Sequence, residues 1–286
     1  MSKKPSLSHE LTEQLRVREG FDLASFDRGA RPGLKGGSSA AEDLLVEQGG
    51  ILDELQEKLY AHGRSGGTRS VLLVLQGLDT AGKGGIVRHV VGLVDPQGVS
   101  IRSFGVPTEE ERAHDFLWRI RRALPQPGRI GVFDRSHYED VLVARVDELV
   151  PPDVWESRYD LINDFEAELV AAGTVVVKVA LMVSYEEQGE RLAERLERPD
   201  KHWKYNPGDI DTRLRWDDYQ EAYQAVFDRT STPHAPWHVI PADDKRYARL
   251  AVSQLLVEAL ESLDLDWPQA DFDVAAEKER LEATRR

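Results

Sequence analysis

Residues 71–83 read Val-Leu-Leu-Val-Leu-Gln-Gly-Leu-Asp-Thr-Ala-Gly-Lys, an apolar run followed by a turn that begins with glycine and ends in lysine. A run that is apolar throughout is typical of a strand buried on both faces of a parallel sheet. The segment from Gly77 to Lys83 matches the first seven positions of a Walker A loop, and a helical pattern from Ile86 to Val94 follows it. A strand, this loop and a helix in that order predict a cradle of backbone N–H groups for an anionic phosphate.

The residues of this loop suggest how a phosphate would be held. We expect the backbone at Gly77, Gly82 and Gly84 to approach the phosphate, and Lys83 to offset the charge that moves during phosphoryl transfer. Gly84 stands where a Walker A loop usually has serine or threonine, so the hydroxyl that normally binds magnesium is missing. Asp79 is the natural replacement, because Mg²⁺ prefers carboxylate oxygens. The alternatives are that Asp79 only orders the loop, or that the loop is a turn that binds nothing.

Further apolar runs follow and alternate with helical patterns. The predicted strands cover residues 71–76, 99–103, 130–133, 174–183 and 237–241. The predicted helices include residues 41–62, one that opens at Thr108 and carries Phe116, Leu117, Ile120 and Leu124 on one side, one that opens at Asp153, and one that Ser184 caps. This alternation predicts an α/β fold, a three-layer α/β/α sandwich around a parallel sheet. We expect a single domain over residues 1–286, with an arm and a helix in residues 1–65.

Charge and composition narrow the class of protein. The chain has 286 residues, a formal net charge of −14 and no cysteine. The acidic balance argues against a nucleic-acid partner, although a locally basic groove could still take a polyanionic substrate. No apolar run approaches the roughly 18–20 residues that span a bilayer, and the N-terminus lacks the apolar stretch of a secretory signal. We therefore expect a cytoplasmic protein without a membrane partner, a disulfide or a thiolate metal site.

A second acidic residue follows another predicted strand. Residues 130–133 are apolar and lead directly into Asp134 and Arg135. An acidic residue at the end of a neighbouring strand is the Walker B position, so Asp79 and Asp134 are expected to face one magnesium–phosphate centre. The planar guanidinium of Arg135 suits bidentate phosphate binding. The alternative is an ion pair at the strand end, and Glu139 is a further candidate contact for nucleotide or metal.

Residues 190–204 are rich in cations. They include Arg191, Arg195 and Arg198 at helical spacing, then Lys201 and Lys204 after a break at a proline. One interpretation is a solvated helix with pairs between glutamate and arginine. The other is a mobile lid that closes over phosphates and excludes water, which the position late in a phosphate-binding fold favours.

Several motifs together resemble the polyphosphate kinase 2 family. They are Gly77-x-Asp79-x-x-Gly82-Lys83, the stretch from Phe133 to Glu139 (Phe-Asp-Arg-Ser-His-Tyr-Glu), and Lys201-x-Trp203-Lys204. The resemblance runs from about Leu15 to about Glu261. It implies a thymidylate-kinase-like P-loop core with a helical lid in residues 185–210, and a homo-oligomer, with a tetramer suspected.

The resemblance also implies an activity. The family transfers a terminal phosphoryl group reversibly between inorganic polyphosphate and nucleoside phosphates, here adenine or guanine nucleotides, with Mg²⁺. Asp79, Lys83, Asp134 and Arg135 fall on its Walker A and B positions, and Lys178 falls on a strand position that is basic in relatives and implies a polyphosphate contact. The alternative for Lys178 is a lysine of an edge strand. The lid cations fall in the family's lid region.

The choice of acceptor divides the family. The stretch from Lys201 to Asp209 looks like the branch that phosphorylates both AMP and ADP, but that branch often has asparagine where this chain has Asp134. A carboxylate there would repel the AMP phosphate unless magnesium intervenes, so the sequence predicts use of ADP and leaves AMP open. Two other functions also stay open: a P-loop kinase that uses ATP on a small metabolite, and a nucleotide-binding switch without catalysis.

Overall fold

The five predicted strands form one parallel sheet in the computed structural model, which describes residues 6–7 and 11–285. The strands are β1 (Ser6–Leu7), β2 (Leu34–Lys35), β3 (Ser70–Gln76), β4 (Val99–Ser103), β5 (Ile130–Asp134), β6 (Thr174–Met182) and β7 (Trp237–Pro241). The sheet has the order β4-β5-β3-β6-β7, while β1 and β2 form an antiparallel pair. Leu75 pairs with Asp134, so the residues after β3 and β5 leave the sheet at the same edge.

Helices connect and cover these strands. They are α1 (Leu11–Leu15), α2 (Ser38–Arg64), α3 (Lys83–His89), α4 (Glu109–Arg112), α5 (Trp118–Arg121), α6 (Val143–Val146), α7 (Pro152–Ala171), α8 (Tyr185–Glu197), α9 (Gly208–Leu214), α10 (Trp216–Thr230), α11 (Lys245–Glu261) and α12 (Val274–Glu282). Within the described part of the chain, no helix combines the length and apolar character needed to cross a membrane. Residues 1–5 and 8–10 of the predicted arm lie outside the described residues.

The central strand β3 explains why the sheet has helices on both faces. Every residue of β3 is buried. Its side chains alternate, so that Leu73 and Leu75 pack with residues of α2, α3 and α11, whereas Leu72 and Val74 pack with residues of α7 and α10. Each fully buried aliphatic side chain stabilises the fold by about 1.5–3 kcal/mol. This arrangement confirms the predicted α/β/α sandwich.

The segment after Thr108 differs from its prediction as one helix. The predicted capping box is present, with Thr108 Oγ1 accepting from Glu111 N at 3.2 Å and Glu111 Oε2 accepting from Thr108 N at 3.0 Å. However, the Asp115 carboxylate accepts from Leu117 N at 3.0 Å and caps a new turn. A side chain that bonds nearby backbone in this way competes with a continuous helix. The segment is therefore two short helices, α4 and α5, and the second brings Leu117 and Ile120 into the core.

A histidine in β7 makes folding sensitive to acid. Burial lowers the pKa of His238 from 6.5 to about 4. Above pH 6.5 the ring is neutral in both states, but as the pH falls below 6.5 the unfolded chain takes up the proton first, so stability falls. When the pH drops from about 7.5 to about 5.5, the free energy of unfolding should fall in both proteins. We expect the fall to be about 1 kcal/mol smaller for His238→Gln than for the wild type. Urea unfolding at the two pH values measures this, and equal losses in both proteins would contradict it.

Candidate phosphate-binding site

A cavity of about 460 Å³ lies where β3 and β5 end. Its walls come from the loop after β3, from α3, from the end of β5, from α8 and the turn after it, and from α11. The ends of neighbouring parallel strands are the usual place for a ligand in an open α/β sheet. Asp79, Lys83, Asp134 and Arg135, the four predicted catalytic residues, all line this cavity.

The glycines give the loop its shape. Gly77 has φ +150°, and a Cβ atom there would stand 2.7 Å from the Leu181 carbonyl oxygen, so no larger residue fits. Gly82 has φ +116° and precedes α3. A Cβ atom on Gly84, by contrast, would meet nothing within 4 Å, and this residue lines the cavity beside Lys83. Gly82 and Gly84 therefore line the cavity, whereas Gly77 allows the sharp turn after β3.

Lys83 is held by the loop itself. Its side chain is only 9% exposed, and its Nζ donates to the carbonyl oxygens of Gly77 at 2.5 Å and Leu78 at 3.4 Å. Burial lowers the pKa of Lys83, while the carboxylates of Asp79 and Asp134 oppose that shift. A phosphate entering the cavity would supply further negative charge to this buried ammonium.

The two carboxylates differ in their surroundings. Asp79 Oδ1 accepts from Arg135 Nη2 at 2.9 Å. No described residue donates a hydrogen bond to the Asp134 carboxylate, which lines the same cavity. Arg135 has φ +64°, an unusual conformation for arginine that turns the chain sharply after β5. One carboxylate thus orders Arg135, and the other is free to bind a cation.

Glu139 lies behind Arg135. Its Oε2 is 3.7 Å from Arg135 Nη1, and its Oε1 is 3.0 Å from the Gln76 amide. Burial raises the pKa of Glu139, and the positive charges of Arg135 and Lys83 oppose the shift. Glu139 is not among the cavity-lining residues, so a direct contact with nucleotide or metal stays a prediction, and its observed contacts hold Arg135.

The donor set fits magnesium. Asp79 and Asp134 both offer hard carboxylate oxygens on the wall of this cavity, and Mg²⁺ in phosphotransferases is commonly held by one or two carboxylates together with waters and substrate phosphates. Among the described residues there is no cluster of three or more His, Cys, Asp or Glu that could hold a metal by itself. A magnesium site here would therefore be completed by the substrate.

Arg191 supports the loop. Its side chain is 5% exposed and its Nη1 donates to Thr80 O at 2.9 Å, while Nη2 donates to Ala242 O at 2.7 Å and Asp243 O at 2.9 Å. Its Nε donates to Glu187 at 2.7 Å. Every nitrogen of the guanidinium is thus engaged within the protein. Arg191 also lines the cavity, so its predicted phosphate contact stays a prediction, and its observed contacts fix the backbone of the Walker loop.

The remaining lid cations divide into two groups. Arg195, Lys201 and Lys204 line the cavity, as the lid interpretation predicts. Arg198 does not: it is exposed and pairs with Glu194 at 2.8 Å and with Asp200 at 2.9 Å. The solvated-helix interpretation therefore describes Arg198 better, and its phosphate contact is not supported by the structure.

The predicted polyphosphate contact of Lys178 is wrong. Lys178 pairs with Val74 in the interior of the sheet and is fully buried. Its Nζ donates to Glu166 Oε2 at 2.6 Å, to Thr230 O at 2.7 Å and to the Tyr138 hydroxyl at 2.9 Å. All three ammonium protons have acceptors in the core, on the face of the sheet that α7 and α10 cover. Nothing remains for a substrate.

Four cavity residues escaped the sequence analysis. Arg88 and His89 come from α3, and Lys245 and Arg249 come from α11. Their basic side chains lie far apart in sequence and line one cavity because α3 packs beside α11. A signal was nevertheless present, since Arg88 follows Gly84 by four residues and Arg249 follows Lys245 by four, so that each pair lies on one helix face.

Comparison with known proteins agrees with this geometry. The family described as Polyphosphate kinase 2 matches residues 38–267. The chain is 47% identical over 258 residues to the AMP/ADP-polyphosphate phosphotransferase of Meiothermus ruber, covering 90% of this chain and 94% of the relative. It is 42% identical over 272 residues to the ADP-polyphosphate phosphotransferase of Rhodopseudomonas palustris, covering 90% and 92%.

A solved structure extends the likeness to three dimensions. The crystal structure of Polyphosphate Kinase 2 from Arthrobacter aurescens is 52% identical to this chain and superposes with a TM-score of 0.95. The superposition covers 97% of this chain and 98% of the other. Sequence match, coverage and fold all agree, and the chain belongs to the polyphosphate kinase 2 family.

Proposed function

We propose that this enzyme moves the terminal phosphoryl group of inorganic polyphosphate onto ADP, and reversibly back from ATP, in the cavity between the Walker loop and α11. Membership of the family makes the chain a polyphosphate-dependent nucleotide phosphotransferase. The observation that carries the proposal is a set of basic residues from two helices, called here the cation row, that lines the same cavity as Lys83.

That row suits a linear polyanion. Arg88, His89, Lys245 and Arg249 line the same cavity as Lys83. Burial and the positive charges of Arg249 and Arg88 lower the pKa of His89, and burial and Arg191 lower that of Lys245. Arg249 therefore stands close enough to Arg88 and Lys245 for mutual repulsion, while Glu194 adds one carboxylate to the cavity wall. A chain of phosphates would remove the repulsion.

The protein's contribution to transfer is placement and charge compensation. Lys83 and Arg135 lie on the wall of the cavity near Asp79 and Asp134, where they would neutralise the migrating phosphoryl group. Arg195, Lys201 and Lys204 would hold the donor chain in line and help exclude water. Magnesium, held by Asp79 and Asp134, would supply charge stabilisation to the phosphate oxygens. Because donor and acceptor are both phosphates, no covalent enzyme intermediate is required.

ADP is the proposed acceptor, and AMP is a further candidate. Asp134 places a carboxylate in the cavity that accepts no hydrogen bond from a described residue, which disfavours the phosphate of AMP unless a cation lies between them. The relative from Meiothermus ruber is named for both acceptors and the relative from Rhodopseudomonas palustris for ADP.

Adenine and guanine bases are both candidates. The family resemblance supports a homo-oligomer, with a tetramer suspected, and nucleotide substrates support a cytoplasmic location.

The cation row has a direct kinetic test. We expect Arg249→Ala to raise the KM for long-chain polyphosphate about 10-fold, because a charge-assisted contact is worth roughly 1.5–3 kcal/mol. The KM for ADP should change little, because the proposed partner of Arg249 is the polyphosphate chain and not the nucleotide. Initial rates of ATP formation at varied polyphosphate and varied ADP measure both constants.

A matched control exists on the same helix. Arg246 precedes Arg249 by three residues, is exposed, and pairs with Glu42 at 2.7 Å without lining the cavity. Arg246→Ala removes one charge from α11 as well, yet should leave the KM for polyphosphate within about 2-fold of the wild type. Equal effects of the two variants on the KM for polyphosphate would show that only net charge matters. That result would contradict the proposed binding of polyphosphate along α11.

A further inference from the structure

Asp209 is a buried carboxylate near the site that the mechanism above does not use. It lies in the first turn of α9 and is 5% exposed. Aspartate is seldom buried to this degree unless it is paired. Its Oδ2 accepts from Arg195 Nη1 at 3.0 Å, and Arg195 lines the phosphate cavity.

The same guanidinium joins three segments. Arg195 belongs to α8, and its Nη1 also donates to the Lys204 carbonyl oxygen at 3.1 Å, in the turn formed by residues 199–204. Asp209, from α9, completes the group. Through these two hydrogen bonds, Arg195 connects the turn that carries Lys201 and Lys204 with the helices on either side of it, α8 and α9.

The contact leaves part of Arg195 available. Its Nε and Nη2 donate to none of the described residues, while Nη1 is fixed by Asp209 and Lys204. A long side chain that is anchored at one nitrogen loses less conformational entropy when the others bind an anion. Asp209 itself does not line the cavity, so it acts through Arg195.

The charges around Asp209 agree with its pairing to Arg195. Burial raises the pKa of Asp209, the negative charge of Asp79 raises it further, and Arg195 opposes both. The carboxylate of Asp209 therefore lies within electrostatic reach of the catalytic loop. Its pairing with Arg195 offsets the cost of burying it there.

We propose that Asp209 is a positioning residue that sets Arg195 and the lysine-bearing turn over the phosphate cavity, so that they bind the donor polyphosphate chain. This inference rests on the proposed function. It assigns Asp209 no contact with substrate, and it predicts an effect on one substrate only.

The test compares Asp209→Ala with Asp211→Ala on the same helix. Asp211 is exposed and forms no ion pair with a described residue. Asp209→Ala should raise the KM for polyphosphate about 10-fold and leave the KM for ADP within about 2-fold, because a charge-assisted hydrogen bond is lost. Asp209→Asn, which keeps an acceptor oxygen, should recover part of the loss. Asp211→Ala should behave as the wild type.

A double-mutant cycle shows whether Asp209 works through Arg195. In an Arg195→Ala background, adding Asp209→Ala should change the KM for polyphosphate by less than about 2-fold. Additive effects would overturn the inference, as would an unchanged KM, a lowered KM, or a loss of kcat with both KM values raised equally. Wild-type protein without any transfer activity would instead overturn the proposed function, and the inference with it.

Discussion

Replacing Lys83 with methionine is expected to lower the rate of phosphoryl transfer by about 10³-fold, the scale of losing a preorganised charge at a reacting phosphate. Lys83 is buried in the Walker loop, and among the described residues its ammonium donates to the Gly77 and Leu78 carbonyl oxygens alone, while Asp79 and Asp134 act on it by charge. Methionine keeps most of the side-chain volume, so the loop should stay packed. The measurement is ATP formation from ADP and polyphosphate at saturating substrates.

Two controls separate chemistry from folding. The thermal midpoint of Lys83→Met should stay within a few degrees of the wild type, because removing a buried charge relieves a desolvation cost. Lys204→Met, a lid lysine, should mainly raise the KM for polyphosphate. A Lys83→Met enzyme that retains more than about a tenth of the wild-type kcat would contradict the role given to this residue.

Replacing Lys178 with methionine is expected to destabilise the fold by about 3–5 kcal/mol, because it leaves a buried charge without its partner. Glu166 is fully buried and accepts from Lys178, from the Tyr138 hydroxyl at 2.8 Å and from the His137 ring at 3.2 Å. Burial would raise the pKa of Glu166, but Lys178 and His137 outweigh it and hold that pKa below its usual value. Urea unfolding near neutral pH measures the loss.

A paired variant makes this prediction specific. Adding Glu166→Gln to Lys178→Met removes the orphaned charge while keeping an acceptor for Tyr138 and His137, so it should recover a large part of the lost stability. Folded protein of either variant should keep the wild-type KM for polyphosphate, since Lys178 does not reach the cavity. A loss below about 1 kcal/mol for Lys178→Met would contradict the account of the buried pair.

Local sequence was enough to place the centre of the site. Asp79 and Lys83 belong to one loop, and Asp134 and Arg135 follow the neighbouring strand. Since parallel strands end at a common edge, short-range patterns determined which side chains meet. Helical spacing likewise placed Arg195 on the side of α8 that lines the cavity, while closure of a lid stays a prediction.

The errors have a different origin. The family resemblance implied a polyphosphate contact for Lys178, because that strand position is basic in relatives, yet its partner is Glu166, a carboxylate on a helix. Glu166 lies four residues after Ile162 and one after Phe165, on the stripe of α7 that enters the core. A charged residue on such a stripe predicts a buried partner of opposite sign, and that signal was available.

The cation row needed tertiary structure. Arg88 and Arg249 are separated by about half the chain, and no sequence pattern specifies that α3 and α11 pack side by side. The break between α4 and α5 has a local cause instead, since the Asp115 carboxylate accepts from Leu117 N where the apolar spacing alone favoured one helix.

The most direct measurement is nucleotide turnover by the purified protein with Mg²⁺ and long-chain polyphosphate, with ADP and AMP offered separately and the products resolved by chromatography. The account predicts ATP from ADP, and loss of that product both with Lys83→Met and when Mg²⁺ is chelated. ADP formed from AMP would add the second acceptor despite Asp134. If neither nucleotide gains a phosphate, and ATP is not consumed when polyphosphate is the acceptor, the central claim is contradicted.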